Sequence, residues 1–443
     1  MCRLYAESTL PNELWLMVFQ QINDTKCLAQ CRLVCKLFDS LAEKALFRQN
    51  LDLTTVDKIK KFLYHLNSKP KIARYINFIH LSDVAPLHLQ RRLLNQALTP
   101  NIKSLTGEMR ENVFDHFLNI LQRSPDKFSQ LQVLPNFPNL CRKRNPGGIF
   151  VPTCNYGQVL LYFKESLKQL TIQVQPSDLP QISESVIFRL NEFQNLTFLD
   201  LDFQIYNRLD DLNSYLGLDY ILSNCTMNLE ILYLHWRAKL TFMEKEDFKT
   251  WLQRNDVEQA PNLGELKITG VSSPHILEYL LYKYPNVSKL AIHNLDDFSD
   301  RIVKEIQNMD SLFLAINDIP HPQRRQDMNR IEQFTDLIQS TQSTVNSLLI
   351  SKRHSNSLKK EMFYIEKSIS TRSTVYGVTT NRYETSVHKE LISLIGPVSS
   401  LRVLYDNHVD QQRLGEELNS LCKMIPFNNL NSLTHLELTG DRI

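Results

Sequence analysis

The sequence predicts an α/β protein in two parts: an N-terminal three-helix module, then an irregular solenoid of short parallel strands alternating with helices. Three observations carry this reading. Apolar residues from Leu14 to Leu46 recur at helical spacing in three short runs. A six-residue pattern, apolar–x–x–apolar–x–apolar, then returns through the rest of the chain. The stretches between its copies turn back to helical spacing.

The N-terminal module is expected over residues 8–50. Pro11 opens its first helix, since the missing N–H has no partner in a first turn, and Glu13 sits at the positive end of the helix dipole. Leu14, Trp15, Val18, Phe19 and Ile22 make its apolar stripe. Asn23-Asp24-Thr25 reads as a break and a new N-cap. A second helix then carries Leu28, Cys31, Leu33, Val34 and Cys35, and a third, from Asp39 or Ser40, turns Leu41, Ala45 and Leu46 inward. Three helices this short cannot bury so much apolar surface among themselves. A partner surface is the expected destination of the excess.

The order Leu10-Pro11-Asn12-Glu13-Leu14, a later Leu28, then Val34-Cys35-Lys36 followed by Phe38 and Leu41, resembles the F-box. That module docks substrate receptors onto a Skp-type adaptor in cullin ubiquitin ligases. The resemblance implies adaptor contacts from Leu10, Pro11, Leu14, Val18, Phe19, Ile22, Leu28, Cys31, Val34, Cys35 and Phe38. Two positions depart from the family. Phe38 stands where Trp is usual, and Lys26 lies in a turn where an acidic residue is common.

The hexad occurs at Ile76/Ile79/Leu81, Leu167/Leu170/Ile172, Leu196/Leu199/Leu201, Leu229/Leu232/Leu234 and Leu263/Leu266/Ile268. It continues at Val287/Leu290/Ile292, Met309/Leu312/Leu314, Val345/Leu348/Ile350, Val398/Leu401/Val403 and Leu433/Leu436/Leu438. Degenerate copies stand at Ile102/Leu105, Leu131/Leu134 and Ser373/Tyr376/Val378. Most neighbours from Leu167 onward are about 22 to 36 residues apart, near the leucine-rich-repeat period. Helical patterning fills 211–225, 274–284, 297–309, 326–342 and 408–424. Each unit leaves one face uncovered, so neighbours must stack. The array, expected over 70–443, resembles the repeats of leucine-rich-repeat F-box proteins. It lacks their regular Asn or Cys three residues past the strand: Asn317 fits, but Gln204, Arg237, Val271 and Asp441 do not. An all-helical repeat is the structural alternative, disfavoured by runs such as Leu229 to Leu234.

Residues flanking the buried strand positions should line the concave face and hold a protein target. They are Asp200, Asp202, Tyr233, His235, Lys267 and His293, with Trp236 beside Tyr233 as a further anchor. The breaker-rich segment 134–156 reads as a loop or insertion, and its Arg142-Lys143-Arg144 as a solvated triplet. An open solenoid end exposes an unpaired edge, so the last strand, 433–438, is expected to be covered by the helix 408–424 or by a partner, unless the chain is a truncated product.

Composition bounds the function. With 50 basic against 48 acidic residues the net charge is +2, which gives no nucleic-acid footprint. No apolar run reaches membrane-spanning length, and the first residues lack a signal-peptide core. Eight scattered cysteines suit free thiols in the cytoplasm or nucleus. Cys27, Cys31 and Cys35 share a helical face but lack a fourth ligand, so no metal is expected, and no cofactor. No phosphate loop, G-x-S-x-G or H-E-x-x-H occurs. The resemblance therefore implies a non-catalytic receptor with an adaptor, cullin and RING subunits as partners. The alternatives are a scaffold that binds the adaptor without directing ubiquitination, and a receptor completed by a small molecule.

Overall fold

The computed structural model describes residues 10–82, 85–109, 111–124, 128–135, 155–174, 186–203, 215–225, 228–236, 252, 257–270, 274–295, 303–304, 306, 309–316, 328–342, 345–352, 362–380, 395, 397–405 and 432–440. They divide into two compact units. The first is Met1–Leu199 with Asn224–Asn228, and the second is Asp200–Ser223 with Leu229–Ile443.

The first unit opens with α1 (Asn12–Gln20), α2 (Thr25–Cys31) and α3 (Lys36–Arg48). Asp24 caps α2 by accepting from the Lys26 N–H at 2.9 Å. The second helix is shorter than its apolar pattern predicts. Leu33 and Val34 donate three residues back, to the Gln30 and Cys31 carbonyls, so the chain tightens into a turn. Cys35 is then extended, and its Sγ accepts the Phe38 N–H at 3.4 Å, which starts α3 at Lys36 rather than at Asp39. Phe19, Leu28, Leu41, Ala42 and Ala45 form the buried centre of this bundle. The Phe38 ring fills it from the side, 4.8 Å from Trp15 and 5.1 Å from Phe19 between centroids. Glu43 collects Arg32 at 3.0 Å and Lys69 at 2.7 Å, linking the bundle to the segment after α4 (Val56–Ser68).

Beyond the bundle, β1 (Asn50–Leu53), β2 (Phe78–Leu81) and β3 (Ser104–Gly107) pair in parallel. The degenerate copy at Leu131 supplies one more rung: Val133 bridges Ser104 on one side and Gln169, the first residue of β4 (Gln169–Val174), on the other. Four helices accompany these strands: α4, α5 (Leu87–Ala97), α6 (Glu111–Arg123) and α7 (Asn155–Tyr162). Gly107 ends β3 at a φ of +89°, where a Cβ would run into the Leu81 carbonyl.

In the second unit the strand order is β14–β13–β10–β12–β11–β9–β8–β7–β6, beside residues 200–203 of β5 (Phe198–Phe203). The strands are β6 (Ile231–Trp236), β7 (Glu265–Thr269), β8 (Lys289–Leu295), β9 (Ser311–Ile316), β10 (Val345–Lys352), β11 (Met362–Ser368), β12 (Ser373–Thr380), β13 (Ser400–Tyr405) and β14 (His435–Gly440). The hexad explains their inner face. Leu232, Leu234, Leu266, Ile268, Leu290, Ile292, Leu312 and Leu314 are all buried, each contributing about 1.5–3 kcal/mol of transfer free energy. The helices Pro274–Lys283 and Met328–Thr341 also bury apolar faces, Ile276, Leu277 and Leu280 on the first and Phe334, Leu337 and Ile338 on the second. The Phe334 ring lies 5.2 Å from that of Phe363 on β11.

Among the described strand pairs of this sheet, the parallel order is broken around β11. The turn Ile369–Arg372 is too short for a crossover, so β11 folds back on β12 as a hairpin. Arg372 takes a left-handed φ of 49° to close it. Being antiparallel to both neighbours, β11 separates β9 from β12, while β10 lies between β12 and β13.

The helix predicted at 211–225 is observed over Tyr215–Ser223. The predicted helix 408–424, the Arg142–Arg144 triplet, Asn317 and the post-strand positions compared with it lie outside the described residues. The structure instead satisfies its turns with a different asparagine, placed directly before the first apolar residue of the hexad. Asn101 donates Nδ2–H to the Arg74 carbonyl at 2.6 Å, Asn195 to that of Glu165 at 2.6 Å, Asn228 to that of Gln194 at 2.8 Å, and Asn286 to that of Pro261 at 2.9 Å. Each reaches one unit back, so the amide closes a carbonyl that the strand ladder leaves open.

Candidate functional sites

Two surfaces carry the predicted functional residues. On the helical bundle, α1 and the α2–α3 turn present Leu10, Leu14, Met17, Val18, Leu33 and Val34 to solvent. Leu33 is 87% and Val34 67% exposed. Exposed apolar residues gathered in a patch mark interaction surfaces in general. Pro11 and Cys35 are exposed with them. The other predicted contacts face inward. Phe19 and Leu28 are buried in the bundle centre, and Ile22, Cys31 and Phe38 pack against it half-buried. They hold the exposed set in place rather than presenting themselves. Met17 and Leu33 join the surface without having been singled out. Met17 is readable from its i, i+3 spacing to Leu14. Leu33 is released outward only because α2 stops at Cys31.

The second surface is the sheet face of the second unit opposite the buried hexad side chains. Register brings the predicted residues together: Tyr233 pairs with Lys267 and Lys267 with Ala291, while His235 pairs with Thr269 and Thr269 with His293. His235 Nε2 lies 3.3 Å from Asp200 Oδ1, and its Nδ1 lies 2.6 Å from Thr269 Oγ1. The Lys267 ammonium sits 4.9 Å above the Tyr233 ring, whose hydroxyl donates to Glu265 at 3.1 Å. The Trp236 side chain lies outside the described residues, and Asp202 stands on β5 two residues beyond Asp200.

The face extends past the predicted residues. The His293 ring lies 4.8 Å from Phe313, and Phe313 stacks on Tyr364 at 5.9 Å. Tyr364 lies over Gly377 on the next strand, where any Cβ would overlap the phenol ring. Sequence reasoning missed Phe313 and Tyr364. Phe313 falls in the variable position of its hexad, and β11 carries no hexad, although Phe363 and Ile365 alternate with Tyr364 and Glu366 at strand period.

The two histidines are pushed apart in acidity. The hydrogen bond with Asp200 raises the His235 pKa; burial opposes it, and the charges of Asp200 and Asp202 add to it. His293 is lowered by burial first, then by the Lys267 and His235 charges. A histidine whose folded pKa is raised stabilises the fold fully below its unfolded value near 6.5. That contribution is lost as pH rises through the folded pKa. In a titration followed by NMR, His235 is expected to protonate at higher pH than His293, and Asp200→Asn to bring His235 down toward it. Equal midpoints in the unsubstituted chain would disprove the pairing. Tyr364 is pushed up to about 12 by burial and by Glu366, so it is a neutral hydroxyl at any physiological pH.

Among the described residues no group of three His, Cys, Asp or Glu side chains is placed to hold a metal ion. Among the same residues no helix is long and apolar enough to cross a membrane.

The chain thus carries a three-helix bundle with exposed apolar side chains, followed by strand-and-helix units. Residues 8–87 match the family model described as COS11 F-box domain. An F-box domain, the Skp-type adaptor-binding module, therefore occupies the N-terminal part of the chain, and the match runs beyond the three helices through β1, α4 and β2 to Leu87. No curated protein matches the chain in sequence.

Proposed function

We propose that this chain is a substrate-recognition subunit of an SCF-type cullin ubiquitin ligase, acting in the cytoplasm or nucleus. The F-box engages a Skp-type adaptor, and through it the cullin and RING subunits. The sheet face of the second unit holds a protein target. The observation that carries the proposal is the exposed set Leu10, Leu14, Met17, Val18, Leu33 and Val34, which falls inside the matched F-box. The chain does no chemistry in this reading. It raises the local concentration of target lysines at the ubiquitin-conjugating enzyme, and proximity supplies the rate.

The target face is supported by its composition. Tyr233, His235, His293, Phe313 and Tyr364 give broad rings on one side of a rigid sheet, flanked by Asp200, Glu265 and Lys267. Rings with few rotatable bonds, set among charges of both signs, suit a protein surface. Reversing charge at Asp200 and Lys267 together (Asp200→Lys, Lys267→Glu) is expected to reduce target capture at least about tenfold while the adaptor still co-purifies, on the scale of close interfacial charge pairs. The measurement is quantitative affinity purification with the proteasome inhibited. If every co-purified protein other than the adaptor and its cullin partners persists at unchanged level, the target is held elsewhere.

A further inference from the structure

A cleft of about 560 Å³ opens in the first unit, on the bundle and the strand entries beside it, and its lining includes none of the exposed apolar residues of the bundle. Its wall is made by Arg48 and Gln49 at the end of α3, Arg74 and Asn77 before β2, and Asn101 and Lys103 before β3. Among the described residues the lining includes three cations and several amides but no carboxylate. None of the three cations forms an ion pair with a described carboxylate. The Arg74 guanidinium instead lies 4.9 Å from the Tyr75 ring and donates one N–H to the Tyr75 hydroxyl at 2.7 Å, which fixes its plane. Elsewhere in the same unit cations do find acids: Arg32 with Asp39, Lys69 with Glu43, Lys164 with Glu192. What sets the cleft apart is that its wall brings two guanidinium groups and an ammonium to one concave surface with no carboxylate among its lining residues.

The backbone around the cleft is already satisfied, so its ligand need not complete the fold. Gln49 donates to the Ile22 carbonyl at 2.6 Å, and Asn101 to that of Arg74 at 2.6 Å. The second bond ties the backbone at Arg74 to the following strand entry at Asn101. The cleft volume falls within the range of small-molecule sites, but its wall lacks the apolar lining such sites use for neutral ligands. Guanidinium forks favour phosphate and sulfate oxygens. We propose that this cleft binds a small polyanion carrying two or more phosphate groups. This is independent of the adaptor and target assignments, since neither surface includes its residues.

The test uses the whole 443-residue chain and inorganic tripolyphosphate, with inorganic phosphate as the single-group comparison, in isothermal titration at low and at physiological salt. Tripolyphosphate is expected to bind at one site and more tightly than phosphate. Each of Arg48→Gln, Arg74→Gln and Lys103→Gln should weaken it about tenfold, the cost of one charge-assisted hydrogen bond. Lys103 is exposed, so its single substitution leaves the fold intact even if an arginine substitution does not. A control with Lys60→Gln and Lys61→Gln, exposed on α4, removes charge outside the cleft and should leave binding unchanged. The proposal fails if the chain takes up no tripolyphosphate at physiological salt. It also fails if the α4 control loses as much affinity as the cleft variants, which would make the binding a property of net charge.

Discussion

Leu33→Ala combined with Val34→Ala is expected to abolish capture of the Skp-type adaptor while leaving the chain folded. Both side chains are exposed in the unbound protein, so truncating them removes no packing from the bundle. Central apolar anchors of an interface typically cost 2 kcal/mol or more each when truncated, so the pair should weaken binding by about a thousandfold. Leu28→Ala provides the contrast. That side chain is fully buried at the bundle centre, and its truncation should cost about 2–5 kcal/mol of stability and lose the adaptor through unfolding. Pull-down with purified adaptor, alongside thermal melting, separates the two routes. Undiminished capture by the Leu33/Val34 double variant would remove the docking assignment. A melting point lowered as much as that of Leu28→Ala would show these residues to be structural.

The largest stability effect is expected at Asp219→Ala. The Lys283 ammonium is 2% exposed and donates to Asp219 at 2.7 Å, to Ser223 Oγ at 3.0 Å and to the Glu258 carbonyl at 3.3 Å. Tyr279 donates to the same carboxylate at 2.7 Å. This network ties the helix Tyr215–Ser223 to the helix Pro274–Lys283. Removing the carboxylate strands a buried ammonium, and breaking such a pair costs about 3–5 kcal/mol. Chemical denaturation should show the loss in the second unit. Lys283→Met, which removes the charge along with its need for a partner, should recover much of it in the Asp219→Ala background. If Asp219→Ala melts like the unsubstituted chain, the ammonium has found water and the network is not a structural tie.

Both results bear on how far the chain could be read in advance. The hexad located the parallel strands because period-2 burial is a local property: Leu232 and Leu234 must face the same side wherever their neighbours lie. The face opposite the hexad followed from the same alternation, which is why Asp200, Tyr233, His235, Lys267 and His293 were legible before any register was known. The F-box pattern likewise fixed the position of the helical bundle. Local order did not reveal the Lys283–Asp219 pair, 64 residues apart, because nothing in either helix marks its partner. Nor did it reveal the hairpin β11–β12, whose direction depends on a turn closed by a left-handed Arg372.

By itself the sequence determined the helical module at the N-terminus, the strands that carry the hexad and the alternation that separates buried from presented side chains. Only the tertiary structure decided which apolar residues of the bundle are its core and which its surface. Helical spacing makes Leu28 and Leu33 equivalent until α2 ends at Cys31 and the following turn swings Leu33 outward. It also decided where the asparagines act. An amide satisfies whichever open carbonyl the neighbouring unit brings within reach, and Asn101, Asn195, Asn228 and Asn286 reach theirs from the residue before the hexad. The cations of Arg48, Arg74 and Lys103 belong to the same category. They stand far apart along the chain and become one cleft only when the end of α3 and two strand entries are folded side by side.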